Sequence, residues 1–202
     1  MQTTPPRFAT TTDLWSVLLV GAGVIVWNLV TLVTDVVRLL PNRDVPVDVR
    51  LTGATLALPV GPGGAPVPAT VDVASVTVSD MPVATYASAL GAAVVPPLAT
   101  IAVTACVLLL CRHVLAGRFF SPTTTRLITA ISLLIAVGWL AWFGFSVMAS
   151  NGALALVADP DVLDATRITF SWTPILASMA VGALAAVFRA GERMQRDTEG
   201  LV

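Results

Sequence analysis

The sequence predicts an integral membrane protein, mainly α-helical, in which four transmembrane helices form a bundle. The first outer loop is expected to add a small extracytoplasmic antiparallel β-sheet. Three observations predict this fold class. The 202 residues are 56% hydrophobic and only 11% charged, whereas a soluble domain carries about 25% charged residues. Four apolar runs are each long enough to cross a hydrocarbon core about 30 Å thick. The segment between the first two runs has the alternating pattern of strands.

The apolar runs divide the chain into membrane and aqueous segments. The first run is longer than the core of a cleavable signal peptide, so it is expected to remain as a helix. Ser121 followed by Pro122 is typical of a helix start, and so are Asp80-Met81-Pro82 and Asp159-Pro160-Asp161. The expected order is a cytoplasmic N-terminus (1–13), a first transmembrane helix (14–40), a β loop (41–79), a second helix (80–113), a cytoplasmic turn (114–121), a third helix (122–150), an outer loop (151–158), a fourth helix (159–190) and a cytoplasmic tail (191–202).

The distribution of arginine predicts the orientation of this bundle. The chain has no lysine, and seven of its eleven arginines fall on the side that carries both termini and the 114–121 turn. Positive charge accumulates on the cytoplasmic side of membrane proteins. The absence of lysine and the abundance of alanine and valine are typical of a GC-rich bacterial genome. The expected location is therefore the bacterial cytoplasmic (plasma) membrane, with both termini in the cytoplasm.

The loop 41–79 reads as about three short antiparallel strands. VPVDVRL places Val45, Val47, Val49 and Leu51 on one face, TLALPV is a second candidate strand, and GPGGAP is a turn. In the last strand the apolar phase changes between Val73 and Val76, which predicts a β-bulge near Ala74-Ser75. So short a segment cannot bury a core alone, so its apolar face is expected to cover the outer helix ends. This layout resembles that of claudins, in architecture only.

Little in the sequence indicates catalysis, metal binding or nucleic-acid binding. No ionisable residue lies in the middle of any apolar run, although transporters and proton relays usually place charge there. Cys106 and Cys111 point away from each other on one helix and read as interior residues, and the single histidine, His113, stands at a helix end. No catalytic, metal or cofactor site is predicted, and the net charge of −1 gives no reason to expect a nucleic acid as a direct partner.

Several residues within the apolar runs are candidates for helix packing. Asn28 could bond to a neighbouring helix or line a permeation path. Ser178, Gly182 and Ala186 form a face of small residues in the fourth helix, which could pack within the bundle or between protomers. The aromatic residues of the third helix could fill the core or line a lipid groove.

Two segments on the predicted cytoplasmic side carry a family resemblance. GRFFSPTTTRL matches a Gly-x-x-Phe-Ser pattern with Gly117, Phe120 and Ser121. VFRAGERMQRDTEGLV matches a Phe-x-x-Gly-x-x-Met/Leu-x-x-Asp-x-Glu pattern at five positions, which are Phe188, Gly191, Met194, Asp197 and Glu199. With the four spans and the outer first loop, the chain resembles the bacterial membrane family called domain of unknown function 2975. The resemblance implies no established activity, and it implies a regulatory or sensing partnership with small helix-turn-helix regulators as one possibility.

These observations favour a non-enzymatic membrane protein that acts by binding. Its expected partners are the lipid bilayer and either a protein or further copies of itself. The eight matched residues of the two cytoplasmic segments are the candidate docking surface, the alternative being an inert solvated end. A component of a transporter or channel is the second hypothesis, and a membrane enzyme is the third.

Overall fold

The computed structural model of the chain describes residues 11–117, 120–157 and 170–199. These residues form four long helices and one two-stranded antiparallel sheet. The elements are α1 (Thr11–Leu39), β1 (Val45–Leu58), β2 (Val67–Val78), α2 (Val83–Leu115), α3 (Pro122–Val157) and α4 (Thr173–Glu199). Each helix is long and apolar enough to cross a membrane. The expectation of a mainly helical chain with four apolar helices and a small antiparallel sheet is thereby confirmed.

The described residues group into two compact units. The helical unit takes its residues from Met1–Val33, Val95–Leu140 and Trp172–Val202. The sheet unit takes its residues from Thr34–Val94 and Ala141–Ser171 and contains both strands. Helices α1, α2 and α3 therefore each contribute to both units.

The start of α3 follows the expected chemistry. The Ser121 hydroxyl accepts a hydrogen bond from the backbone N–H of Thr124 at 3.2 Å, and Pro122 is the first helical residue. An N-cap of this kind satisfies a backbone donor that the first turn would otherwise leave free.

The far end of α3 differs from the prediction. The helix continues to Val157 instead of ending at residue 150. Asn151-Gly152 resembles a helix stop in the sequence, but Ala153 and Leu154 are buried at 0% and 4% exposure, so packing sustains the last two turns. The lack of a side chain at Gly152 lets α3 pass close to Thr85. A Cβ at residue 152 would collide with the Thr85 side chain.

The predicted start of the fourth helix at Asp159 lies outside the described residues. Phe170, Ser171 and Trp172 are not helical, and α4 begins only at Thr173. A single helix from 159 to 190 is therefore wrong. At its other end α4 runs on to Glu199, so the residues assigned to a tail from 191 onward continue the helix.

The sheet consists of two long strands, and the expectation of three short ones is wrong. VPVDVRL and the first four residues of TLALPV belong to the single strand β1 (Val45–Leu58), because the backbone between them stays extended and both parts pair with β2. The expected turn is present: the Gly64 N–H donates to the Gly61 carbonyl at 2.9 Å, and Gly63 and Gly64 adopt the positive φ angles of +68° and +81° that glycine tolerates.

The irregularity of the sheet lies on β1, so the prediction of a bulge near Ala74-Ser75 is wrong. Ala74 pairs regularly with Val49, whereas the register shifts between Arg50 and Ala54. Gly53 lies within that shift, and a glycine inside a strand often marks such a point. The phase change in the sequence arises because Val73 faces outward, with 55% exposure.

The inner face of the sheet packs on helix ends, as predicted. Val45, Val47 and Val49 are 1%, 6% and 0% exposed. The first two join one apolar cluster with residues of α1, α2, α3 and β2 and of the link between β2 and α2, namely Leu39, Val78, Met81, Ala89, Ala149 and Ala153. Leu51, the fourth residue predicted on this face, lies outside the described side chains. The sheet therefore obtains from helices the core that it cannot form alone.

Four hydrogen bonds hold the two ends of the β segment together. The Asn42 side chain donates to the Met81 carbonyl at 3.1 Å and accepts from the Met81 N–H at 3.2 Å. The Asp80 N–H donates to the Asn42 carbonyl at 2.9 Å, and the Asp44 N–H donates to the Ser79 hydroxyl at 2.9 Å. These bonds fix where β1 begins and β2 ends, and so set the register of the sheet.

Candidate functional site

The two segments that carry the family resemblance meet in the helical unit. The rings of Phe120, just before α3, and Phe188, on α4, lie with their centroids 5.6 Å apart and their planes tilted by 40°. This spacing is within the range of favourable aromatic pairs. Residues far apart in the sequence therefore meet. We define the Phe120 face by Phe120, Phe188 and Gly191 together with Met194, which follows Gly191 by three residues on α4 and so lies on the same side of that helix.

Gly191 has a steric role in the Phe120 face. A Cβ at this position would lie 2.5 Å from the Phe120 ring. Contacts this short do not occur between real atoms, so any side chain at 191 would displace the ring. The glycine of the second segment is therefore complementary to the phenylalanine of the first.

The described residues that flank Phe120 in the sequence, Gly117 and Ser121, lie at the ends of two helices. Gly117 ends α2 with a φ of +75°, and its N–H donates to the Val114 carbonyl at 3.0 Å. A glycine in this conformation is the usual way to end a helix. Ser121 caps α3, and its hydroxyl also lies 2.9 Å from the Thr124 hydroxyl. The reversal thus places Phe120 between two defined helix ends.

The Phe120 face combines exposed apolar groups with charge. Phe120 is 45% exposed and Met194 is 66% exposed. Arg189, Arg193 and Asp197 are exposed on the same stretch of α4, and the Glu192 side chain is half-buried. Glu199 is the last residue of α4, and its side chain lies outside the described ones. An apolar centre with a charged rim is the usual anatomy of a protein-binding patch.

Two of the predicted packing residues contact α3. The Ser132 hydroxyl donates to the Ser178 carbonyl at 2.8 Å, and the Ser178 hydroxyl donates to the Ser132 carbonyl at 3.0 Å. A Cβ on Gly182 would lie 3.1 Å from the Ser132 hydroxyl oxygen. Ala186 is exposed. The small-residue face of α4 therefore packs within the chain at Ser178 and Gly182.

Among the described residues, the hydrogen bond of the Asn28 side chain lies within α1, whereas the sequence left open a bond to a neighbouring helix or a place in a permeation path. The side-chain amide donates to the Val24 carbonyl at 2.8 Å, one turn earlier in the same helix. The third-helix aromatics include one defined ring contact, in which Phe143 meets Phe170 edge-on with centroids 5.0 Å apart. Phe170 precedes α4, and sequence spacing alone gave no sign of this pair.

The sheet unit contains a cleft that no pattern in the sequence indicates. It has a volume of ≈ 360 Å³. Its polar wall is formed by Asp35 and Arg38 of α1, Asp48 of β1 and Ser146 of α3. Its apolar lining comes mainly from Leu39, Val47, Ala89, Ala92, Ala93 and Ala149. The available signal was weak: Asp35 and Arg38 share a helix face, but the approach of β1 depends on the tertiary fold.

The helical unit contains a second, apolar groove of ≈ 350 Å³ between α1 and α2. Val17, Val20 and Val24 line one wall, and Val103, Val107 and Leu108 line the other. The helices approach closely at one point, because a Cβ on Gly21 would lie 2.6 Å from the Leu108 side chain.

Comparisons with known proteins find no relative. No protein-family model, curated protein or solved structure matches this chain. Within residues 11–117, 120–157 and 170–199, no group of three or more His, Cys, Asp or Glu residues is placed to hold a metal ion.

Proposed function

We propose that this chain is a multi-pass bacterial membrane protein that acts by binding a cytoplasmic protein through the Phe120 face. The observation that supports binding most directly is the meeting of Phe120 with Phe188 and Gly191. Two separate segments contribute to one surface, because the Phe120 ring of the first segment packs against Phe188 and Gly191 of the second.

Membrane insertion is the first part of this proposal, and the burial pattern supports it. Four helices are long and apolar enough to span a bilayer, and large apolar side chains such as Trp27, Leu133 and Met179 are 59–74% exposed. In water such exposure would cause aggregation, whereas lipid is a favourable solvent for it. With both termini in the cytoplasm, the Phe120 face lies on the cytoplasmic side.

The second part is the class of partner. Phe120 and Met194 offer apolar contacts, and the arginines and acids of α4 offer complementary charge. Flexible methionine side chains suit surfaces that accept a range of apolar groups. These features favour a soluble protein that presents an apolar side chain within a charged segment. A regulatory or sensing role is consistent with such a partner.

The test is affinity purification of the full chain from native membranes, with three variants compared with the wild type. Phe120→Ala and Met194→Ala remove the apolar centre, whereas Leu184→Ala removes an equally exposed side chain from α4 outside the Phe120 face. Central interface residues typically contribute more than 1 kcal/mol, so we expect Phe120→Ala and Met194→Ala each to reduce partner recovery by about tenfold. Leu184→Ala should recover the partner at the wild-type level.

Equal recovery from all four chains would contradict the proposal. Reconstitution in liposomes separates the alternatives, because a channel or transporter gives solute flux without any partner. A binding protein gives none.

A further inference from the structure

The cleft of the sheet unit has the composition of a ligand site. Two carboxylates, one guanidinium and one hydroxyl line a cavity whose remaining walls are mostly small and apolar. Its ≈ 360 Å³ is near the lower end of the range for small-molecule pockets. It can therefore hold a small polar group with a short apolar attachment.

The charges in the cleft have both signs. Asp35 and Asp48 contribute two negative charges and Arg38 contributes one positive charge. A purely anionic ligand would meet the two carboxylates, and a purely cationic one would meet the guanidinium. A zwitterion, with its cation and its anion a few atoms apart, complements both.

Two alanines that line the cleft have backbone carbonyls without their usual helical partner. Pro96 and Pro97 lie inside α2 and have no N–H to donate to the carbonyls of Ala92 and Ala93, four residues earlier. Both alanines line the cleft. Two residues of the lining therefore have carbonyls that lack the usual helical donor, and such acceptors suit a ligand cation that carries N–H donors.

The place of the cleft in the sequence indicates the source of the ligand. Asp35 and Arg38 belong to the last part of the apolar span Trp15–Leu39. This step rests on the proposed membrane insertion: polar residues at the end of such a span lie at the level of the lipid headgroups.

We propose that the cleft binds a phosphoethanolamine group, supplied by a zwitterionic phospholipid. Arg38 pairs with the phosphate, since guanidinium matches phosphate geometry. Asp35 and Asp48 accept hydrogen bonds from the primary ammonium, and the alanine-lined wall contacts the start of the hydrocarbon. A choline headgroup lacks the N–H donors, and a glycerol headgroup lacks the cation, so both bind more weakly.

The experiment uses the purified, delipidated full chain in detergent. Binding is measured by native mass spectrometry and by the shift of the melting temperature, with phosphatidylethanolamine, phosphatidylcholine and phosphatidylglycerol of identical acyl chains. Free O-phosphoethanolamine is a fourth arm, which separates a lipid source from a soluble one. We expect phosphatidylethanolamine to bind at least about tenfold more tightly than the other two lipids, as the loss of one charge-assisted hydrogen bond implies.

Matched variants assign this preference to the cleft. Arg38→Gln and Asp48→Asn should each weaken phosphatidylethanolamine binding by about tenfold or more. Arg43→Gln alters an exposed arginine of the same unit that does not line the cleft and should bind normally. Melting temperatures without lipid show whether the variants are folded, and Asp35→Asn provides a second carboxylate variant if Asp48→Asn is not.

Equal affinity for the three lipids, or wild-type binding by Arg38→Gln, would overturn the proposal. Binding of free O-phosphoethanolamine without binding of the lipid would assign the site to a soluble ligand and overturn the lipid source. Phe120→Ala should leave lipid binding unchanged, so failure of the cleft proposal and failure of the proposed docking function are separately visible.

Discussion

Among the described residues, the sheet unit buries ten apolar side chains and two serines, whereas the helical unit buries four apolar side chains, one of them Pro97, beside two threonines and one serine. In the sheet unit, the valine side chains of Val45 and Val49 are fully buried. In the helical unit Thr124 is fully buried, and the best-defined contact between helices is the Ser132–Ser178 pair.

The helical unit buries fewer apolar side chains than the sheet unit but exposes more of them. Most of the exposed large apolar side chains belong to the helical unit, among them Trp27, Leu19 and Val20 at 68–74% exposure. A protein in water hides such groups, and a protein in lipid gains nothing by hiding them. This contrast is what the proposed membrane insertion predicts, with the helical unit in hydrocarbon and the sheet unit at an aqueous boundary.

Cysteine labelling should give the largest difference between the units. In a Cys106→Ala/Cys111→Ala background, Ser75→Cys places a thiol on the exposed face of the sheet, and Leu133→Cys places one at a 59% exposed position of the helical unit. A membrane-impermeant maleimide added to intact cells should label S75C nearly completely and L133C hardly at all, because hydrocarbon excludes both the reagent and the thiolate.

Denaturation in dodecyl sulfate, followed by labelling, is the control that shows both thiols to be reactive. Protection of S75C in intact cells would contradict the outward orientation of the sheet, and rapid labelling of L133C would contradict a lipid-facing helical unit.

A buried charge should destabilise the sheet unit by the next largest amount. Val45→Asp places a carboxylate at a position that is 1% exposed, and Val73→Asp places the same group on the opposite face, where the valine is 55% exposed. An unpaired buried charge costs about 3–5 kcal/mol. We expect Val45→Asp to lose that much free energy of unfolding in detergent, measured by circular dichroism during denaturant titration. Val73→Asp should change it by less than about 0.5 kcal/mol.

The parts of the fold that were predictable from sequence are those that follow from local patterns. The helices follow from uninterrupted apolar runs, and the inward face of β1 follows from the alternation of Val45, Val47 and Val49. The number of strands and the end of α3 did not follow. Both depend on tertiary contacts, since β2 pairs with β1 on both sides of the register shift at Gly53, and burial of Ala153 and Leu154 extends α3 beyond Gly152.

The Phe120 face and the cleft of the sheet unit also differ in how far the sequence predicts them. The Phe120 face was assembled from residues already chosen by motif, and the structure adds that Phe120 contacts Phe188 and Gly191. The cleft combines Asp35, Asp48 and Ser146 from three elements. No local pattern joins these residues, so only the packing of β1 near the helices reveals them.

The smallest predicted effect concerns the hydroxyl pair of the helical unit. Ser132→Ala and Ser178→Ala each remove a donor of an interhelical hydrogen bond, and such bonds contribute about 0.6 kcal/mol on average in membranes. Because the two hydroxyls lie 3.4 Å apart and bond to each other's backbone, the double variant should lose less than the sum of the two single losses.

Thr31→Val, which removes a hydroxyl bonded to the Trp27 carbonyl within α1, is the matched control and should be close to neutral. Unfolding by dodecyl sulfate titration measures all four variants, and strictly additive losses would show that the two serines stabilise the packing of α3 and α4 independently.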